Sequence, residues 1–208
     1  MPRTRSDIAP RIVHAARARF LREGVDGASL RAIADDAGTS IGMVYYYFTT
    51  KDDLFFAVVE ETYERLLADL TRALDPSLSA EERMRRLYRR VGAIDQHESQ
   101  IVRLVIREVL VSSRRLDRLL RRFQRGHFPM VLKTIADGMA TGTIRDDVPP
   151  MLVLVVAIAV GAIPQFVLQH VAPKLRGPLA DQLIELLWRG IGPTRPSTRR
   201  RRARRSAR

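Results

Sequence analysis

Three consecutive tyrosines, Tyr45 to Tyr47, are the side chains in this sequence whose type and spacing best suit contact with a polar partner. Each has a ring for apolar contact and a hydroxyl that donates and accepts hydrogen bonds. Val44 and Phe48 are four residues apart, so they share one face of a helix and can point into a core. Three adjacent rings cannot all lie on that face, and some hydroxyls must therefore meet water or a polar partner.

Two short helices on either side of Gly38 are predicted to position these tyrosines. Ser29 is a suitable N-cap for the first helix and Thr39 or Ser40 for the second, because a hydroxyl accepts from the free amides of a first turn. Gly38 suits the left-handed position that ends a helix. A tight turn and a short helix with small and phenolic side chains are typical of a helix-turn-helix that reads the major groove of DNA. A surface turn between two core helices is the alternative interpretation.

Longer helices are predicted around this motif and through the rest of the chain. Apolar residues recur at helical spacing from Ile8 to Phe20. Thr50 and Asp53 form a capping-box pattern that opens a helix with an apolar stripe, which Pro76 ends. Later segments keep the helical pattern, and Gly126 and Pro129 should kink or break one of them. No segment alternates with period two over a useful length, so the sequence predicts an all-α protein.

Two apolar segments near the C-terminus indicate self-association. Residues 151–163 are apolar all round, but these thirteen residues fall short of the roughly 20 that span a membrane. A last helix opens near Pro178. Together these helices offer more apolar surface than one small domain covers, so we expect a homodimer through about 150–191, with burial inside one subunit as the alternative.

The run from Gly42 to Phe48, followed by Thr-Thr-Lys-Asp-Asp-Leu54, resembles the signature of the TetR family of regulators nearly position by position. Tyr47 departs from it, since members often carry a histidine there, yet both side chains can donate to a phosphate. The resemblance is specific over about 6–65 and rests beyond that only on helix count and length. It implies a three-helix DNA-binding domain over 6–65, with the helix-turn-helix at about 29–48. A larger helical bundle for effector binding and dimerisation would follow over 66–192.

The candidate DNA contacts have different physical roles. Tyr45 can approach a thymine methyl or a sugar, whereas Tyr46 and Tyr47 would donate to phosphates. Gly42 lets the helix backbone approach base edges, and Arg31 is the candidate for guanine readout or else a solvent-facing arginine. The full set is Ser29, Arg31, Thr39, Ser40, Ile41, Gly42, Met43, Tyr45, Tyr46, Tyr47 and Lys51. The resemblance assigns DNA contact to all of them except Ser29, Thr39 and Ser40, which can instead cap helices.

The start of the fourth helix carries conflicting charges. Lys51 and the free amides there should attract a phosphate. Asp52 and Asp53 would work against it unless they face away, and the sequence leaves this question open.

By the same resemblance, a small, largely apolar effector binds among the C-terminal helices and releases the protein from DNA. The candidate lining residues are Met84, Tyr88, Ile101 and Phe128, although residues of these types are more often plain core.

The remaining chemistry points away from catalysis. The chain has no cysteine, four scattered histidines, no glycine-rich phosphate loop and no nucleophile elbow, so we expect no enzyme activity, no metal site and no cofactor. No signal peptide is recognisable, which favours the cytoplasm. The predicted function is a sequence-specific transcriptional regulator, a repressor released from a palindromic operator by an effector. A DNA-binding protein without a ligand and a helical protein-interaction module are the alternatives.

Most of the net charge of +13 lies in the C-terminal tail. Residues 194–208 contain eight arginines and no acidic residue. Such a segment cannot bury a core, so 193–208 is predicted to be a disordered basic tail. It would either be simply solvated or attract DNA without reading sequence.

Overall fold

A computed structural model describes residues 7–165 and 176–193 of the chain. No strand occurs in these two ranges, which confirms the predicted all-α class. The helices are α1 (Ile8–Gly27), α2 (Leu30–Asp36), α3 (Ile41–Tyr47), α4 (Lys51–Ala73), α5 (Ala80–Gly92), α6 (Gln96–Val111), α7 (Ser113–Gln124), α8 (His127–Ala140), α9 (Pro150–Ala157) and α10 (Arg176–Ile191). A π-helical turn, Ile158–Ala162, continues α9.

The described chain forms two compact units, and each is made of two stretches of sequence. The first unit contains the residues up to 68 together with 94–125. Its core surrounds Phe20 and Phe55, whose rings meet edge to face with centroids 6.4 Å apart. Helices α1 to α3, most of α4, α6 and α7 contribute to this unit.

The second unit contains residues 69–93 and the chain from 126 onwards. Its core is formed by α5, α8, α9 and α10, with Met84, Ile135 and Ile184 fully buried. As predicted, the pattern that runs from α7 into α8 is broken at Gly126. Pro129 lies in the first turn of α8, where a missing amide proton costs no helical hydrogen bond.

Helices α6 and α7 belong to the first unit, although the sequence places them in the second domain. The reason is apolar burial, since Ile101, Leu104 and Leu119 lie in the same core cluster as Phe20 and Phe55. The division into domains at 65 and 66 nevertheless stays a prediction, because a compact unit is not the same as an independently folding domain.

Two further expectations meet limits of the described ranges. The basic tail lies outside them apart from Pro193, so its predicted disorder stays a prediction. Among the residues that are described, no helix is long and apolar enough to cross a membrane, and no cluster of side chains could hold a metal ion.

Candidate nucleic-acid interface

Local capping builds the α2–turn–α3 motif. The Ser29 hydroxyl accepts from the Ala32 amide at 3.4 Å, and the Ser40 hydroxyl accepts from the Met43 amide at 3.3 Å. Between the helices Gly38 has φ of +60°, a backbone position that favours glycine. Ser40, and not Thr39, is therefore the cap of α3, and its hydroxyl proton is still available to a partner.

Helix α3 is anchored on one side and presents phenols on the other. Val44 is 0% exposed and fixes the helix to the core, whereas Tyr45 is 55% and Tyr46 is 72% exposed. Tyr47 is half-buried, and its ring packs edge to face on that of Tyr46 with centroids 5.1 Å apart. This geometry matches the sequence expectation that Val44 faces inward.

Gly42 is exposed on the same short helix, and the protein interior does not require a glycine there. A Cβ atom at this position would meet only the Ser40 Oγ atom, at 3.7 Å, which is an ordinary contact. The missing side chain instead leaves the backbone of α3 open to close approach from outside. Ile41 and Met43 are half-buried beside it, and Arg31 is exposed on α2.

The start of α4 is tied into the first unit by two local contacts. The predicted capping box is present, since the Thr50 amide donates to Asp53 and the Asp53 amide donates to the Thr50 hydroxyl, each at 3.1 Å. Lys51 Nζ donates to the Asp26 carbonyl at 3.0 Å and so joins α4 to the end of α1. Lys51 thus has a structural bond that the sequence did not reveal.

Arginines of α7 pair with the acidic residues of α4, and sequence reasoning missed this ladder. Arg115 Nε lies 2.9 Å from an Asp52 oxygen, and Arg118 lies 2.7 Å from an Asp53 oxygen. One turn further on, Arg122 bonds both Glu60 and Glu64. The three guanidinium groups also stack on α4 rings, at 5.9 Å from Phe55, 4.3 Å from Phe56 and 4.4 Å from Tyr63.

Arg115 is the buried centre of this ladder. Besides Asp52 it bonds Asp26 at 2.5 Å and the buried Glu108 at 2.7 Å. Glu108 in turn accepts from the Val25 amide at 3.2 Å. The Arg115 guanidinium lowers the pKa of the Asp26 carboxyl, and the Asp26 hydrogen bond raises the pKa of Arg115. The network joins α1, α4, α6 and α7 within the first unit.

The ladder answers the question that the sequence left open about Asp52 and Asp53. Both carboxylates are paired with α7 guanidinium groups, so the start of α4 does not carry two uncompensated negative charges. The pKa of Asp53 lies below its usual value because Thr50 and then Arg118 hydrogen-bond its charged form.

The four candidate effector residues are not brought together. Met84 and Tyr88 are buried in the core of the second unit, where the Tyr88 hydroxyl donates to the Ala157 carbonyl at 2.7 Å. Phe128 is half-buried in the same unit, with its ring edge to face on His127 at 4.9 Å. Ile101 instead lies in the core of the first unit.

An open cleft of about 1030 Å³ lies in the first unit, away from all four of these residues. It is lined by small and apolar side chains of α1 and by the acidic face of α4, including Ala9, Val13, His14, Ala57, Glu60 and Glu61. Glu60 and Glu61 of this cleft already pair with Arg122 and Arg17.

Comparisons with known proteins agree with this geometry. The family model of bacterial regulatory proteins, tetR family, matches residues 12–58, from α1 into α4. The nicotine-responsive transcriptional repressor HdnoR of Paenarthrobacter nicotinovorans is 37% identical over 71 residues, which are 34% of this chain and 37% of that protein. The chain spans only 37% to 54% of the length of the first three curated relatives it matches.

Solved structures extend the likeness in fold to most of the chain. The regulator FadR from Bacillus subtilis, in complex with stearoyl-CoA, has a TM-score of 0.68 at 16% identity and covers 88% of this chain and 98% of its own. A TetR-like transcriptional regulator from Rhodococcus sp. RHA1 has a TM-score of 0.64 at 24% identity and covers 91% and 98%. The segment 12–58, which contains the capped α2–turn–α3 motif, thus matches the tetR family of bacterial regulatory proteins.

Proposed function

We propose that this protein is a sequence-specific DNA-binding transcriptional regulator, a repressor, whose helix α3 enters the major groove. The observation that carries the proposal is the pair of exposed phenols, Tyr45 and Tyr46, on a seven-residue helix held by the buried Val44. Exposed aromatic side chains on a short, anchored helix suit contact with phosphates and base edges. Because such a regulator acts on chromosomal DNA, the proposal includes a cytoplasmic location.

Each exposed group has a role in this proposal. The Tyr46 hydroxyl donates to a phosphate, and the Tyr45 ring contacts a thymine methyl or a sugar. Gly42 allows the backbone of α3 to approach the base edges, and the exposed Arg31 of α2 reads a guanine in this proposal. Ile41, Met43 and Tyr47 are partly used by packing, so their contribution to DNA contact is smaller.

The experiment that tests this proposal measures the affinity of full-length variants for a duplex that the wild-type protein selects from a random-sequence pool. Tyr46→Phe removes one hydroxyl and should weaken selected and mixed-sequence duplexes alike, by roughly 2- to 12-fold for one lost hydrogen bond. Tyr45→Ala should also reduce the difference in affinity between the selected and the mixed-sequence duplex. Unchanged affinity in both variants, at an unchanged melting temperature, would contradict the assignment of α3.

Selection from the random-sequence pool also distinguishes DNA binding from the alternative function. Recovery of no duplex at all by a folded wild-type protein would favour a helical protein-interaction module without DNA binding.

Homodimerisation is the second part of the proposal, and an exposed apolar face of the second unit supports it. Helix α9 buries Val153, Leu154 and Ala157 inward, yet large apolar side chains on its other face, directly after the π turn and on α10 are half exposed or more. These side chains are Met151, Leu152, Val155, Ile163 and Leu186. A second copy of the chain covers such a surface with twofold symmetry.

Twofold symmetry requires a palindromic operator with half-site centres about 34–36 Å apart or a multiple of that distance. Light scattering should give a dimer at micromolar concentration, and Val155→Asp should shift it to monomer. A wild-type monomer at that concentration would refute the dimer.

The third part is a small, largely apolar effector that binds the second unit and lowers the affinity for DNA. A nicotine-responsive repressor and a regulator solved with stearoyl-CoA are similar to this chain, which supports a ligand-controlled protein. Met84, Tyr88 and Phe128 belong to the second unit and are its proposed lining.

A coupling of about 1–3 kcal/mol gives a 5- to 150-fold change in affinity, and it must act in both directions. A ligand found by thermal-shift screening should therefore bind more weakly in the presence of the selected duplex. An unchanged dissociation constant would exclude that ligand as an allosteric effector.

A further inference from the structure

Two aspartates lie where the proposed DNA interface needs positive charge. Asp52 and Asp53 occupy the first turn of α4, directly after the reading helix α3. An acidic first turn stabilises a helix through its dipole, but the same charges repel a phosphate backbone. The chain must therefore compensate these charges if α3 is to approach DNA.

Helix α7 supplies the compensating charges. Arg118 pairs with Asp53 at 2.7 Å, and its guanidinium is held in place by stacking on the Phe56 ring at 4.3 Å. Arg115 pairs with Asp52 in the buried network described above. Both arginines come from a helix that lies more than 50 residues beyond the end of the family-matched segment.

Exposure separates the roles of the two arginines. Arg115 is buried and bonds three other helices, so its loss would disturb the whole first unit. The side chains of Arg118 and Asp53 are 43% and 35% exposed, and an ion pair that exposed contributes little to stability. The Arg118–Asp53 pair therefore contributes little to the stability of the protein. Its larger effect is on the net charge beside α3.

We propose that Arg118 is a positioning residue for DNA binding, which acts by neutralising Asp53 beside the reading helix. The inference rests on the proposed DNA-binding function and adds α7 to the part of the chain that determines affinity. Arg118 acts through the carboxylate and touches no base, so it should affect all DNA sequences alike.

A charge-rescue experiment on the full-length protein tests this role. Affinity is measured for the duplex selected by the wild-type protein and for a mixed-sequence duplex of the same length, at about 0.1 M salt. Arg118→Gln should weaken both by roughly 3- to 20-fold, which is the effect of one uncompensated charge at an assumed distance of about 9 Å from a phosphate, in a medium between water and protein surface. Adding Asp53→Asn to that variant should restore affinity to within about twofold of the wild type.

Two further variants distinguish charge from packing. Arg118→Lys keeps the charge but not the planar stacking, so it should retain most of the affinity. Arg122→Gln is the matched control on the same helix, because Arg122 also pairs with α4 acids and stacks on an α4 ring. Its partner Glu60 lies nine residues beyond Lys51, about 13 Å along the helix and past the screening length of roughly 10 Å. Arg122→Gln should therefore change affinity by less than twofold.

Each outcome decides the question. Rescue in the double variant together with a silent Arg122→Gln supports the inference. A double variant as weak as Arg118→Gln alone, or an equal loss in Arg122→Gln, overturns it while the proposed function stands. A folded wild-type protein that binds neither duplex overturns the proposed function and this inference with it.

Discussion

The two compact units of this chain solve the problem of burial in different ways. The first unit buries both members of an ion pair, since Arg115 and Glu108 lie together in its interior with Asp26 and Asp52 at the rim. The buried Arg83 of the second unit instead pairs with the partly exposed Asp137. In the second unit, elements pack closely at glycines, where neighbouring side chains fill the space that a Cβ atom would occupy. We therefore expect the stability of the first unit to depend on the complete pairing of its buried charges. The stability of the second unit should depend on side-chain volume at its glycine positions.

A steric detail shows how tightly the second unit is built. At Gly161, in the π-helical turn, a Cβ atom would lie 2.2 Å from the Tyr88 ring. The Tyr88 hydroxyl donates to the Ala157 carbonyl at the start of the same turn. The close approach and this hydrogen bond make the turn and Tyr88 one packed element. A π turn widens a helix locally and is often found at functional sites.

The largest expected effect comes from breaking the buried charge network. Arg115→Met should destabilise the protein by up to about 3–5 kcal/mol, because it removes the cation from one oxygen of the buried Glu108 and leaves Arg107 and the Val25 amide on the other. Urea unfolding measures this loss. Arg121→Met, on an exposed position of the same helix, is the control and should stay within about 0.5 kcal/mol of the wild type. A loss below 1 kcal/mol in Arg115→Met would show that the network is not needed for the stability of the first unit.

Sequence reasoning found the features that depend on neighbouring residues. Ser29, Ser40 and the Thr50–Asp53 box each satisfy amides within three residues, and Gly38 needs only its own backbone angle, so all could be predicted. The pairing of Arg115 with Asp26 joins residues 89 apart, and no local pattern identifies such a partner.

The sequence does not show that α6 and α7 belong to the first unit, again because no local pattern identifies distant partners. Their apolar stripes, with Ile101 and Leu119, predict burial but not the element on which they pack. The candidate Ile101 was accordingly grouped with Met84 and Tyr88, although it lies in the other core. Exposure of Tyr45 and Tyr46 could be predicted because Val44 had already fixed the inner face of α3.

A change of volume tests the second unit in the same way. Gly161→Ala should destabilise the protein by about 1–3 kcal/mol, since the added methyl group overlaps the Tyr88 ring and forces a shift of the π turn. Gly190→Ala in α10 is the matched control, because a Cβ atom there meets nothing within 4 Å. That control should be neutral or slightly stabilising, as alanine is the better helix former. Equal melting temperatures for the two variants would contradict the tight packing around Tyr88.

Acid should provide the smallest and most specific test of the first unit. Asp26 and Glu60 have pKa values lowered from 3.8 and 4.5, in each case chiefly by an arginine of α7 that hydrogen-bonds the carboxylate. A lowered folded-state pKa contributes stability that is present above the unfolded-state value and is lost as the pH falls through the folded-state value. The unfolding free energy should therefore be level from pH 7 to about 5 with respect to these groups, and should decline below about pH 4.5.

The decline from these two carboxylates is small, because the Asp26 side chain is largely exposed, the Glu60 side chain is partly exposed, and water screens both pairs. Arg122→Gln isolates one contribution, since it returns the Glu60 pKa toward its ordinary value and leaves the Arg115 network intact. Urea unfolding at pH 7 and pH 4 should show a smaller difference between the two pH values for this variant than for the wild type. An identical difference would mean that the Arg122–Glu60 pair contributes nothing to acid sensitivity, and that the α7 ladder stabilises α4 by stacking on its rings and not by charge.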